Sequence, residues 1–95
     1  MIIGAVIQQP VDILDYDIDY SRWFSAESDT LESVVVTYRG DDNTLDVNTV
    51  VAADNVIKLW VQGGTDGLTY TLEVTITTAS GRRKQDELLV TIEDF

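Results

Sequence analysis

From residue 68 to residue 78 the chain alternates without a break. Leu68, Tyr70, Leu72, Val74 and Ile76 hold one parity, and Thr69, Thr71, Glu73, Thr75 and Thr77 hold the other. Successive side chains of a strand point to opposite faces, so this stretch predicts a strand with one buried and one wetted face. Such a face needs a second layer to cover it. The rest of the sequence supplies strands for that layer. Residues 85–93 (QDELLVTIE) follow the hairpin signal Ser80-Gly81. Residues 11–20 (VDILDYDIDY) alternate Leu14, Tyr16, Ile18 and Tyr20 with Asp15, Asp17 and Asp19. Residues 31–39, 44–53 and 56–62 are further β-branched or apolar runs. Turn clusters at residues 40–43, Asp54-Asn55 and 63–67 separate them. The pattern predicts an all-β, antiparallel, immunoglobulin-like β-sandwich of six to eight strands.

Tyr70 lies just inside its strand, after the glycine-dense loop 63–67. Immunoglobulin-like sandwiches place a tyrosine there whose hydroxyl bonds back to upstream backbone. A plain core aromatic is the alternative. Gly63, Gly64 and Gly67 are the structural residues of the loop. Trp60, on the preceding strand, is expected in the core between the sheets. Trp23 is a second structural aromatic, in the connection 21–30.

The chain has 95 residues, room for one domain. Pro10 divides it into an apolar N-terminal arm, residues 1–10, and the sandwich, residues 11–95. Ile2, Ile3, Val6 and Ile7 give the arm more apolar side chain than water tolerates. It is expected to dock on a partner, with an edge strand of its own sandwich as the alternative. The arm lacks the basic start of a secretory signal and the roughly 20 apolar residues of a membrane span.

Composition narrows the chemistry. Seventeen Asp and Glu stand against six Lys and Arg, a net charge of −11 that repels nucleic acid and anionic membrane. Histidine and cysteine are absent. That removes imidazole acid–base catalysis, cysteine nucleophiles, disulfides and zinc sites built from these residues. Asp15, Asp17 and Asp19 share one strand face and so do not oppose one another across a cleft as glycosidase carboxylates do. Residues 41–46 cluster oxygen ligands that calcium would accept, but Asp and Asn are also ordinary turn residues, and turn is the preferred reading. No catalytic residue, cofactor or metal site is expected. Arg82, Arg83 and Lys84 hold half of the positive charge at the expected hairpin tip. They serve either as edge protection or as a dock for an acidic neighbour.

Two segments resemble a family of small tailed-bacteriophage virion proteins often described as phage fiber or structural proteins. In residues 14–31 the matching positions are Asp19-Tyr20-Ser21, Trp23 and Asp29-Thr30-Leu31. In residues 58–82 they are Trp60, the run Gly63-Gly64-Thr65-Asp66-Gly67, Tyr70, the threonine-rich strand and Gly81-Arg82. Ser28 stands where that family usually has glycine, and Arg83-Lys84 make a more basic tip. The resemblance implies a small β-sandwich in the virion and brings no enzymatic residue. The expectation is a non-enzymatic structural protein, associated with the head as a capsid decoration or head–tail junction component. Its partners would be capsid or connector subunits and copies of itself. A carbohydrate- or receptor-binding module of a fiber or surface protein is the alternative. Trp23 and Trp60 exposed together on one face would favour ligand binding; both buried would favour assembly.

Overall fold

The alternating stretch forms β6 (Thr69–Thr78), with Tyr70, Leu72, Val74 and Ile76 fully buried and the threonine parity turned outward. A turn at Ser80-Gly81 leads into β7 (Arg83–Ile92), which pairs antiparallel with β6. The earlier elements are β1 (Ile2–Gln8), β2 (Ile13–Asp19), a short helix α1 (Ser21–Glu27), β3 (Leu31–Arg39), β4 (Leu45–Val51) and β5 (Val56–Gly63). The computed structural model describes residues 1–27, 29–51 and 55–95. Ser28, and Asp54 of the expected turn with Ala52 and Ala53, lie outside the described residues.

Two sheets face each other. One has the order β1-β7-β6-β3 and the other β2-β5-β4. β5, β6 and β7 each have a strand on both sides, and their inward parities are dry. Ile57, Leu59 and Val61 of β5 are fully buried against Tyr70 to Ile76 of β6. Each such side chain contributes about 1.5–3 kcal/mol by leaving water. Phe24 of α1 and Tyr20 before it plug the core at the end where β6 finishes and β7 begins. The architecture is an immunoglobulin-like β-sandwich, with four antiparallel pairings and one parallel pairing, β1 with β7.

The parallel pairing corrects the arm. Ile2, Val6 and Ile7 belong to an edge strand in register with β7, and Val6 packs against the core; Ile3 lies at a register shift in the same strand. Pro10 does break the strand, but as a corner at which the chain crosses from one sheet to the other. Asp12 N–H donates to the Gln9 carbonyl at 3.0 Å, and Gln9 N–H donates to Asp12 Oδ2 at 2.9 Å. Gln8 fastens this corner. Its buried amide donates to the Val61 carbonyl at 3.1 Å and accepts from the Tyr16 hydroxyl at 2.7 Å, joining β1 to β5 and β2. The sandwich therefore begins at Ile2.

Trp60 is also corrected. The inward parity of β5 is taken by Ile57, Leu59 and Val61, so Trp60 falls on the outer face and is 39% exposed. It lies opposite Asp15 on β2 and Asn48 on β4.

Candidate protein–protein interface

The sandwich is 44 Å along its longest axis, and its two ends are built differently. Tyr70 and the loop after β5 occupy one end. The Tyr70 hydroxyl accepts from Thr65 N–H at 2.9 Å and donates to Asp42 Oδ1 at 2.6 Å. Asp42 also accepts from the hydroxyls of Thr65 and Thr44. These donors, Thr65 and Tyr70 foremost, hold the Asp42 carboxyl down at about 2. Asp42 is thereby occupied as a turn anchor, and among the described residues no group of three or more Asp or Glu could hold a metal ion. Gly63, Gly64 and Gly67 all have positive φ. At Gly64 an added Cβ would stand 2.6 Å from Ile92 Cγ1, so glycine is needed there for both conformation and space.

The other end holds α1, the β6–β7 turn and the start of β1. Trp23 lies edge-on to Phe24 at 5.1 Å, and the Arg82 guanidinium sits 4.2 Å above the Trp23 ring. Arg82 Nε bonds Asp29 Oδ2 at 3.1 Å. Asp29 also accepts from Ser80, and the Ser80 and Thr78 hydroxyls are the main reason its carboxyl is held well below the usual range. Lys84 Nζ bonds Asp86 Oδ1 at 3.1 Å, and the Tyr20 hydroxyl donates to Asp86 Oδ2 at 2.8 Å. Burial, followed by the neighbouring Asp86, pushes the Tyr20 phenol well above its ordinary value. Two of the three basic residues of the expected tip are thus tied down within the chain. Arg83 alone stands exposed without a side-chain partner among the described residues. The reason is again parity: Lys84 sits beside the inward Asp86 position, and Arg82 folds back over Trp23.

Between these pieces runs an open groove of ≈ 360 Å³. Met1 and Ile3 line one wall, Asp17 and Asp19 the other, with Trp23 and Lys84 also lining it. The structure therefore brings Ile3, Trp23 and Lys84 to one site, while Ile7 lies further along β1 and Tyr70 with the loop glycines at the far end. Trp23 is half-buried beneath Arg82, and Trp60 stands on the outer face of the three-stranded sheet, so they form no common platform. Sequence reasoning gave Asp29 only as a matching position and missed Asp86 and Gln8; the three organise this end and the corner. Asp86 shares the inward parity of Leu88, Val90 and Ile92 and Gln8 that of Val6, so the signal was a polar residue on an apolar parity.

The fold and the site together define an immunoglobulin-like module whose chemistry is that of surfaces. Residues 8–91 match the profile of the family described as podophage GP4 fiber-tail adaptor protein gp77. The chain belongs to that family and is a virion component of a bacteriophage. No match was found among curated proteins. Among solved structures, the chain is similar to the solution structure of the PKD domain from KIAA 1837 protein. The two are 20% identical, with 97% of this chain and 82% of that one covered, at a TM-score of 0.47.

Proposed function

We propose that this chain is a non-enzymatic adaptor that joins a fiber to the phage tail through protein–protein contacts. The observation that carries the reading is the family match, which runs from the end of β1 almost to the end of β7 and so takes in most of the sandwich. That match favours the tail over the head-associated role, capsid decoration or head–tail connector, expected from sequence. An adaptor must touch other virion proteins, and the groove end offers the mixture that protein interfaces favour: an aromatic, an arginine and exposed aliphatics. The carbohydrate-binding alternative called for both tryptophans open on one face, and Trp23 is half-buried beneath Arg82 while Trp60 is exposed. Particles assembled without this chain are expected to carry tails that lack fibers. Fully fibered particles without it would overturn the reading.

A further inference from the structure

We propose that the free edge of β1 accepts, as an added strand, an extended apolar segment of another virion protein flanked by Lys or Arg. The inference deepens the adaptor reading by naming the kind of partner, and it rests on that reading. β1 is hydrogen-bonded on one side only, to β7. The Gln8 carbonyl accepts from Glu93 N–H at 3.0 Å. In a strand, alternate residues turn both their N–H and C=O to the same side. Gly4, Val6 and Gln8 therefore face β7, and the N–H and C=O groups of Ala5 and Ile7 face outward. Unpaired groups of this kind are a template for strand addition.

The other sheet edges are blunted. β2 carries Asp15, Asp17 and Asp19, β3 carries Glu32 and Arg39, and β4 carries Asp46. Charge on an edge is how sheets avoid unwanted pairing. β1, with the sequence IIGAVIQ, has neither charge nor proline, and Ile2 and Ile7 are each 59% exposed. The groove opens along the same side, because Met1 and Ile3 line it together with Asp17 and Asp19 of the neighbouring edge.

Charge selects the occupant. Asp15, Asp17 and Asp19 run along the neighbouring edge; Lys58 bonds both Asp15 and Asp17, and Arg22, which lines the groove with Lys84, acts on Asp19. Glu93 and Asp94 follow β7 at the other end of β1. A second copy would bring the same acids and a further net charge of −11 to this edge. A strand with basic flanks is complementary to Glu93 and Asp94 at the Gln8 end and to the net acidic charge of the chain.

The test is amide hydrogen exchange on the full chain. The probe is the peptide Lys-Lys-Thr-Val-Thr-Val-Thr-Val-Lys-Lys, with a counterpart carrying Glu in place of Lys. The basic peptide should slow exchange at Ala5 and Ile7 at least tenfold, and the acidic one should not. Ala5→Pro removes an outward N–H while sparing those that face β7, and Ile7→Lys places a charge on an exposed position; each should abolish the slowing. Val35→Lys, equally exposed on the β3 edge, should leave it intact. No slowing at Ala5 and Ile7, or equal slowing by both peptides, overturns the proposal. Slowing without peptide that grows with chain concentration would put a second copy on the edge and overturn it as well. None of these results touches the adaptor reading, which concerns where the chain sits in the virion.

Discussion

At the end that holds Tyr70, the polar side chains of the corner bond one another: the hydroxyls of Tyr70, Thr44 and Thr65 converge on Asp42. At the end that holds Trp23, the polar groups are tied down only beneath the surface. Asp29 and Asp86 are nearly buried, with side chains 4% and 2% exposed, yet their partners Arg82 and Lys84 reach toward the surface. Arg82 Nη2 is buried without a hydrogen-bond partner among the described residues. Met1 and Ile3 border an open groove beside it. The first end resembles an interior that happens to lie at a pole. The second has paired carboxylates, one buried guanidinium nitrogen without a partner among the described residues, and an open groove beside them. The lesson is that similar residues, an aromatic with carboxylates and hydroxyls, close a sandwich at one pole and leave a contact surface at the other. The difference lies in whether a glycine loop folds back over them.

If that contrast holds, the largest loss of stability comes from the closed pole. Tyr70→Phe removes a donor to a carboxylate and an acceptor for the Thr65 amide. It should cost about 1.5–3 kcal/mol, the range for hydrogen bonds to charged groups. The shift in urea midpoint, at unchanged slope, measures it, and attachment to tails should be unaffected. A Phe variant as stable as the parent would remove the closed pole from the account.

Acid probes both poles together. Asp42 and Asp29 are each held below the ordinary carboxylate value by donors present only in the folded chain. A depressed folded-state value adds stability that is complete above the unfolded value, near 4, and is lost as pH falls through the folded one. Stability should therefore be level above about pH 5 and decline between about pH 4 and 2, the window set by Asp42. Asp42→Asn should shallow that decline in a series of urea midpoints taken against pH. A decline as steep as the parent's would mean that Asp42 is not the anchor of its pole.

The smallest effect on folding belongs to the open pole. Arg83→Glu removes no side-chain partner among the described residues, so stability should stay within about 0.5 kcal/mol. Binding to tails lacking the chain should weaken at low salt and converge with the parent as salt rises, because rim charges are screened over about 8–10 Å. Parent-like binding at every salt concentration would reduce Arg83 to a solvated edge residue.

The sandwich was legible because its central strands carry period two without interruption. β6 needs no context to be read, and β7 follows from its hairpin. β1 was harder. Seven apolar residues ahead of a proline describe an arm and an edge strand equally well, and the hydrogen bonds to β7 that decide between them are long-range. Trp60 was misplaced because its size suggested the core, although its parity with Val56 and Lys58 puts it outside. The basic run was over-read because charge is local in sequence while its partners are not: Asp29 lies 53 residues from Arg82. The pole that carries Tyr70 was readable from a short motif, whereas the groove assembles β1, β2, α1 and β7 from across the chain.

The most direct test of the central claim is the position of this chain in a cryo-EM map of purified virions. An adaptor predicts a density of about this size, an elongated sandwich of 44 × 22 × 18 Å, between the tail and each fiber, with the groove end and the β1 edge in contact with a neighbouring chain. A sandwich found on the capsid surface would contradict it; one at the fiber whose β1 edge faces only solvent would keep the adaptor and overturn the strand-addition proposal.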